Sequence, residues 1–155
     1  ELNKIHNHLV ENLEKKHQII GYTTGVFDLF HIGHLNIIKN AKSKCDFLIV
    51  GVTTDELSEN VKKKKPVIPY AERFEIIKSL KYVDRVVAQE SMNKFDAWQK
   101  YRFDKMFVGS DWKGTQKWIE LEKDFEKLNV EVVYFPYTKN TSSTMLRDLL
   151  NKKLI

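Results

Sequence analysis

The sequence predicts an α/β domain whose five-stranded parallel sheet is covered by helices on both faces. Five short apolar segments rich in β-branched residues alternate with segments whose apolar residues recur at helical spacing, a pattern typical of right-handed crossovers between parallel strands. One of these segments, residues 47–52, is apolar throughout, as expected for a strand buried on both faces. The 155 residues suit one such domain, which we place at 18–155, after a helical extension at 1–17.

Each expected strand is short and leads into a turn or a helix. Strands are expected at 19–24, 47–52, 82–87, 105–109 and 130–135, which together give a Rossmann-like sheet. Helical spacing is found at 2–17, from 33 or 34 onward, and at 70–80, 92–101 and 118–128. A last helix is expected to bury Met145, Leu146, Leu149 and Leu150.

The composition argues against a membrane-spanning protein and against a disulfide-stabilised scaffold. No apolar run approaches the length of a bilayer span and no secretory signal is found, so we expect no stable membrane insertion. Cys45 is the single cysteine, which precludes an internal disulfide and favours a reducing, cytoplasmic location. The net charge of +5 fits an anionic small ligand and a nucleic acid equally well.

The segment after the first strand, residues 25–34, combines two glycines with two histidines. Gly25 and Gly33 permit left-handed backbone conformations and a close approach to a bound group. The start of the following helix offers free N–H groups and a positive dipole end, which suit a phosphate. His31 and His34 can then stabilise negative charge that develops on phosphorus. The segment therefore predicts a phosphate site.

Two other interpretations of the histidine pair are weaker. Zinc needs three or four protein ligands, and no other cysteine, histidine or acidic cluster has ligand spacing. Ordinary polar loop residues are the commonest explanation of an isolated H-x-x-H pattern. The glycines and the strand-to-helix setting favour the phosphate site instead.

Polar and basic residues follow the second strand, at the sheet edge where α/β proteins bind ligands. Residues 53–56, Thr-Thr-Asp-Glu, predict the cap of a short helix. The run Lys62–Lys65 predicts a solvated loop, a nucleic-acid patch or a loop that closes over phosphates. Arg73 is expected in the first turn of the next helix, off the apolar stripe, where it can pair with a neighbouring glutamate.

The signature segment resembles a known family. Gly25-Val-Phe-Asp-Leu-Phe-His-Ile-Gly-His34 is similar to the G-x-F-D-x-x-H-x-G-H motif of the cytidylyltransferase family, within the nucleotidyltransferase superfamily marked by H-x-G-H. Arg73 matches the arginine of the family's E-x-R element. Asp111 and Trp112 match a G-D-D-W-like turn of members that act on glycerol 3-phosphate, whereas Ser110 departs from it.

A second family signature, R-T-E-G-I-S-T-T, resembles residues 137–144. Thr138, Ser142 and Thr144 match it, and Ser143 is a conservative replacement. The hydroxyl groups suit a triphosphate at a helix N-terminus, and they equally suit simple N-capping. Two positions depart from the signature: Tyr137 replaces its arginine and Asn140 replaces its glycine. The positive charge of the missing arginine would then come from Lys139 or Arg147.

The resemblance implies an enzyme that joins CTP to a phosphorylated alcohol and releases pyrophosphate and a CDP-alcohol. Glycerol 3-phosphate is the expected acceptor; phosphocholine, phosphoethanolamine, another polyol phosphate, or an adenylyltransferase reaction are the alternatives. Mg²⁺ is expected to assist, and a homodimer formed through the catalytic domain is expected. A non-catalytic nucleic-acid-binding module is a remote alternative, because the basic residues are dispersed and no motif with stacking aromatics is present.

The resemblance also assigns roles to individual residues. The catalytic residues are His31, His34, Lys62 and Lys64, the two lysines being selected by counting back from Arg73. No metal-ligating residue is assigned. The residues implied in nucleotide binding are Thr24, Gly25, Val26, Phe27, Gly33, His34, Asp55, Arg73, Asp111, Trp112, Thr138, Ser142, Ser143 and Thr144.

Overall fold

Strand β1 lies at the centre of a five-stranded sheet in which every pair of neighbours is parallel. The computed structural model describes residues 1–136 and 142–153, without the side chains of 11–17 and 153. The strands are β1 Ile20–Gly25, β2 Phe47–Thr53, β3 Arg85–Gln89, β4 Lys105–Gly109 and β5 Glu131–Phe135. The helices are α1 Leu2–His17, α2 Ile32–Lys42, α3 Asp55–Lys62, α4 Tyr70–Lys78, α5 Lys94–Tyr101, α6 Gln116–Glu126 and α7 Ser143–Lys153.

The strand order is β3-β2-β1-β4-β5, so the chain reverses its direction of travel across the sheet between β1 and β4. Gly21 and Tyr22 of β1 pair with Lys105 and Met106 of β4. In open parallel sheets, such a reversal leaves a crevice outside the carboxyl ends of the two strands, and ligands bind there. The fold therefore places the segment that follows β1 beside a crevice.

The two faces of the sheet bury separate apolar clusters, because successive side chains of a strand point to opposite faces. On one face, Ile38 of α2 and Ile77 of α4 pack against Leu48, Val50 and Val52. On the other face, Trp118 and Phe125 of α6 pack against a cluster of buried residues that includes Tyr22, Ile49 and Val87. Helices on both faces of a five-stranded parallel sheet confirm the predicted fold class.

The apolar stripe predicted for the last helix is wrong for three of its four residues. Met145, Leu149 and Leu150 are 41%, 48% and 44% exposed. Helix α7 instead contacts the segment after β1 through Ser143 and Arg147, one turn apart on the same side of the helix. Polar contacts therefore orient this helix, which the apolar spacing alone did not reveal.

Helix α1 agrees with the helix expected at 2–17, and Leu2, Ile5 and Leu9 on it are exposed. None of the helices in the described part of the chain is long and apolar enough to cross a bilayer. The basic run is also partly helical, because Lys62 is the last residue of α3 and Lys63 follows it with a left-handed φ of 56°. One interpretation of the sequence made the whole run a solvated loop. The structure corrects this for Lys62, which is helical.

Candidate active site

The rings of His31 and His34 cap the start of helix α2 by accepting hydrogen bonds from its backbone. His31 is the N-cap, and its Nδ1 accepts the backbone N–H of Gly33 at 3.0 Å. His34 Nδ1 accepts the backbone N–H of His31 at 3.3 Å, and the two ring centroids are 3.9 Å apart. Because each Nδ1 is an acceptor, each neutral imidazole carries its proton on Nε2. Each ring therefore has an Nε2–H to donate, and Nε2 of His34 lies 3.4 Å from the Ser143 hydroxyl, which donates its own hydrogen to the Asp28 backbone oxygen.

The surroundings of these rings keep them neutral. Burial lowers the pKa of His34 to about 4; His31 adds to this effect, and the negative Asp28 opposes it. Burial also lowers the pKa of His31. At neutral pH both rings are therefore neutral, and they can offer a ligand hydrogen-bond donation from Nε2 rather than positive charge.

The backbone between β1 and α2 is strained at residues that are not glycine. Phe27 and Leu29 have φ values of 54° and 50°, whereas the left-handed conformation expected at Gly25 and Gly33 is not found there. Gly25 is needed for a different reason, because a Cβ at this position would lie 2.9 Å from Cζ of the Phe27 ring. Left-handed φ at bulky residues persists only where surrounding contacts impose it, and such strain is common at functional sites.

The contacts that impose this conformation converge on Asp28, which is 2% exposed. Its carboxylate accepts the backbone N–H groups of Val67 and Ile68, each at 2.9 Å, and Arg147 Nη2 at 2.8 Å. Its backbone oxygen accepts the Ser143 hydroxyl at 2.6 Å. Burial disfavours the ionised carboxylate, but these hydrogen bonds outweigh that effect and the pKa of Asp28 is lowered. Asp28 thus joins three segments of the chain as an anion.

Arg73 is a second buried hub, and it lies beneath the site rather than in it. The residue is 1% exposed and does not line the cavity. Its guanidinium donates to the backbone oxygens of Val26, Thr53 and Ile68, and to the Asp55 carboxylate at 2.7 Å. Its partner is therefore Asp55 rather than a glutamate of its own helix. The Arg73–Asp55 pair positions the segment after β1 against the end of β2.

A cavity of about 770 Å³ opens at the carboxyl ends of β1 and β4, within the usual range for small-ligand sites. It is lined by Thr24, Gly25, Val26, Phe27, His34, Lys62, Lys64, Trp112 and Ser143 from among the site residues expected from sequence. The structure does not place in its lining His31, Gly33, Asp55, Arg73, Asp111, Ser142 or Thr144. Thr138 lies outside the described residues, as do Tyr137, Lys139 and Asn140.

Two cavity lysines were not anticipated from the sequence. Lys94, the first residue of α5, is half-buried, and Lys117 lies at the start of α6. Burial lowers the pKa of Lys94 to about 8, with further contributions from the charges of Lys117 and Lys62. The sequence did contain a signal for these two lysines, because both follow a strand, β3 or β4, and ligands bind at the carboxyl ends of parallel strands.

These lysines give one side of the cavity a positive potential. Lys62 and Lys64 line it, whereas the intervening Lys63 and the following Lys65 do not. The lowered pKa of Lys94, to which the charges of Lys117 and Lys62 contribute, indicates that these three cations lie close enough to repel one another. An anionic ligand would relieve that repulsion.

The described residues offer donors and cations but no metal cluster. No three His, Cys, Asp or Glu side chains among residues 1–136 and 142–153 are grouped to hold a metal ion. Asp28 lines the cavity, but its carboxylate is occupied by Arg147 and two backbone N–H groups. The histidine Nε2–H donors, the helix starts and the lysines together suit phosphate groups.

A parallel sheet with a lysine-lined cavity at its topological switch point, and with paired neutral histidines at a helix start, is an arrangement typical of nucleotide-binding α/β enzymes. The chain belongs to the cytidylyltransferase-like family, whose model matches residues 22–149. It is therefore a nucleotidyltransferase, and the family resemblance seen in the sequence is confirmed.

Curated relatives align over most of their length. The chain is 34% identical over 132 residues to a glycerol-3-phosphate cytidylyltransferase of Staphylococcus aureus, covering 84% of this chain and 94% of that relative. It is 36% identical over 126 residues to a glycerol-3-phosphate cytidylyltransferase of Bacillus spizizenii, covering 81% and 92%. A solved structure of a lipopolysaccharide core biosynthesis protein from Thermoplasma volcanium has a TM-score of 0.66 at 29% identity, covering 80% and 99%.

Proposed function

We propose that this chain is a CTP:glycerol-3-phosphate cytidylyltransferase, which forms CDP-glycerol and pyrophosphate. The observation that carries the proposal is the pair of neutral histidines, whose Nδ1 atoms are both used as acceptors at the start of α2. Two relatives, 34% and 36% identical to this chain, bear the name of this activity. The cavity also has the size and the cationic lining that a nucleotide and a phosphorylated alcohol require.

The reaction joins an acceptor phosphate to the α-phosphorus of CTP. An oxygen of the acceptor phosphate forms a bond to that phosphorus, and the bond from the phosphorus to the α,β-bridging oxygen breaks. The bridging oxygen and its electron pair leave as pyrophosphate. Such a transfer asks the protein for positioning and for stabilisation of charge, and no covalent enzyme intermediate is needed.

The histidines have the second of these tasks, the stabilisation of charge. The Nε2–H groups of His31 and His34 donate to oxygens of the α-phosphate, where negative charge grows in the transition state. Neutral imidazoles suit this role because their donors are fixed in direction by the hydrogen bonds at Nδ1. The backbone of residues 24–27 lines the cavity next to them and leaves room for the nucleotide.

The remaining site residues act on the phosphates or hold the site in shape. Lys62, Lys64, Lys94 and Lys117 neutralise the acceptor phosphate and the developing charge. The first residues of α7, with Ser142 as the acceptor of the Met145 N–H, support the triphosphate. Trp112, which lines the cavity, contacts the nucleotide. Asp55 and Arg73 act by positioning the segment after β1.

Mg²⁺ is proposed to enter with the triphosphate. The described residues supply no ligand cluster of their own for it, which suits an ion bound mainly through substrate phosphates and water. When bound, it neutralises charge on the phosphate oxygens. Removal of divalent ions with EDTA is expected to abolish turnover, and added Mg²⁺ to restore it.

A pyrophosphate-release screen tests the proposal. CTP, ATP, GTP and UTP are each incubated with glycerol 3-phosphate, phosphocholine and phosphoethanolamine, and with no acceptor. We expect release only with CTP, highest with glycerol 3-phosphate. Preference for ATP would assign the chain to adenylyl transfer, and preference for phosphocholine or phosphoethanolamine would correct the acceptor.

A further inference from the structure

Gln89, the last residue of β3, carries a buried amide that lines the cavity. The residue is 5% exposed. Its Oε1 accepts the hydroxyl of Thr53 at 2.6 Å. Its Nε2 lies 3.7 Å from the Met92 sulfur, the one hydrogen-bond partner that this nitrogen has within residues 1–136 and 142–153. A thioether is a weak acceptor and an NH₂ group has two hydrogens, so the amide retains a donor for a ligand.

The neighbours of Gln89 fix which end of its amide is available. A thioether accepts hydrogen bonds and does not donate them, so the group beside Met92 is the NH₂ and the group beside Thr53 is the oxygen. Thr53 is itself held in place, because its backbone oxygen accepts Arg73 Nη1 at 2.8 Å. The Gln89 backbone oxygen accepts the Thr54 N–H at 3.1 Å. The amide therefore offers the cavity a donor in a fixed position.

We infer that the Gln89 amide donates to a hydroxyl oxygen of the acceptor alcohol and thereby selects a polyol phosphate. This inference rests on the proposed function and names the residue that recognises the organic part of its acceptor. A buried donor that is left unpaired is costly. A site built on such a donor therefore rejects an analogue that lacks the matching oxygen.

Gln89 lies on the same face of the sheet as two of the lysines proposed for the acceptor phosphate. Thr53 and Gln89 are partners in the register of β2 and β3, so their side chains point to one face. Val87, two residues before Gln89, belongs to the buried cluster of that face. Lys94 and Lys117 lie in the first turns of α5 and α6, whose apolar residues pack against the same cluster. The amide is therefore on the side of the cavity where cations attract an acceptor phosphate.

The strand order favours the acceptor over the nucleoside as the partner of Gln89. Strands β2 and β3 lie on one side of β1, and β4 lies on the other. The histidines proposed for the α-phosphate follow β1, and Trp112, proposed for the nucleotide, follows β4. With the nucleoside towards β4, the part of the cavity at the ends of β2 and β3 is left for the acceptor.

The charges around the cavity disfavour an acceptor that carries an ammonium group. In the part of the chain that the structure describes, Asp28 is the single acidic residue of the cavity lining, and Arg147 and two backbone N–H groups occupy its carboxylate. An ethanolamine or choline group would meet lysines and an amide N–H, with no free carboxylate to offset its charge. A hydroxyl oxygen, in contrast, accepts from the amide.

Two deoxy analogues of glycerol 3-phosphate test the inference, one without the central hydroxyl and one without the terminal hydroxyl. The kcat/KM of the full chain is measured for all three acceptors by pyrophosphate release at saturating CTP. For the wild type, we expect one analogue to be used at least about tenfold less efficiently than glycerol 3-phosphate, because the amide is left unpaired. In Gln89→Met, whose side chain has a similar length and no hydrogen-bond donor, that difference should shrink to less than about threefold.

Gln99→Met is the matched control, because Gln99 is exposed on α5 and does not line the cavity. It should keep both the rates and the acceptor preference of the wild type. A ratio of kcat/KM values for two acceptors does not depend on the fraction of enzyme that is folded, so partial misfolding of Gln89→Met does not obscure the comparison. Gln89→Leu repeats the measurement if the methionine variant does not fold at all.

Two results would overturn the inference. A wild-type enzyme that uses both analogues as well as glycerol 3-phosphate would show that no acceptor hydroxyl is recognised. A Gln89→Met enzyme that keeps the wild-type discrimination, at full or reduced rate or with a raised KM for CTP, would assign the residue to the structure or to the nucleotide. A wild-type protein without activity on glycerol 3-phosphate would instead refute the proposed function, so the two failures are distinguishable.

Discussion

Replacing His34 by alanine removes the Nε2–H donor of the histidine that lines the cavity. The loss of one preorganised donor to developing negative charge costs about 2.7–4 kcal/mol of transition-state stabilisation, or about 10²–10³-fold in kcat. The same change removes the acceptor of the His31 N–H at the start of α2, which costs about 1 kcal/mol of stability. The Gly33 N–H keeps its own acceptor on His31, so the helix start is weakened rather than lost.

The assay is pyrophosphate release from CTP at saturating glycerol 3-phosphate, with the thermal midpoint of each variant measured in parallel. His8→Ala is the control, because His8 is exposed on α1 and does not line the cavity. Its rate should stay within about twofold of the wild type. A folded His34→Ala protein with near wild-type kcat would refute the argument that this imidazole stabilises the transition state.

The protonation state of His34 provides an independent check. Burial holds its folded pKa at about 4, whereas an unfolded histidine titrates near 6.5. The unfolded state therefore binds more protons between these values, so stability is fully present above about pH 6.5 and falls as the pH drops towards 4. NMR titration, with the His34 signal assigned from its absence in His34→Ala, should give a pKa near 4. A value near 6.5 would contradict neutral imidazole donation.

Four further predictions concern the rest of the site and the assembly. Because Lys94 has a pKa of about 8, kcat/KM for glycerol 3-phosphate should fall above pH 8, and Lys94→Arg should remove that decline; an unchanged profile would exclude Lys94 from acceptor binding. Arg73→Ala should lower the free energy of unfolding by about 3 kcal/mol or more, measured in urea, since it orphans a buried hydrogen-bond network; a loss below 1 kcal/mol would contradict this. Replacing Lys62 and Lys64 together by alanine should raise KM and change the free energy of unfolding by no more than about 0.5 kcal/mol. Kinetic constants equal to those of the wild type would show that the two lysines do not bind substrate. Light scattering should find a homodimer both for the full chain and without residues 1–16; a full-length monomer would refute the dimer, and loss only on truncation would assign the interface to α1.

The fold was predictable because its signals are local. Alternating apolar segments and helical spacing follow from the geometry of strands and helices, and they gave the five strands and their flanking helices. The histidine pair was also visible, since a strand, a glycine-containing loop and a helix start follow one another directly in the chain. The capping of α2 by both rings was not, because it depends on side-chain direction.

Contacts between distant parts of the chain were beyond the sequence argument. Asp28 bonds to residues 39 to 119 positions away, and nothing near it in the sequence marks it as a buried hub. Arg73 was expected off the apolar stripe of its helix, paired with a neighbouring glutamate or bound to the nucleotide. Its actual partners were not predicted, because they lie on other elements that are distant in the sequence. The predicted burial of the apolar residues of α7 was wrong for three of the four. Helical spacing does not show which side of a helix the rest of the fold covers.

The identity of the phosphorus product tests the central claim most directly. A mixture of CTP, glycerol 3-phosphate, Mg²⁺ and the full-length chain is followed by ³¹P NMR. The account predicts that the triphosphate and phosphomonoester signals decline together, while a diphosphate diester and an equimolar amount of pyrophosphate form. CTP that stays intact, or that is consumed without loss of the phosphomonoester, would contradict cytidylyl transfer to glycerol 3-phosphate.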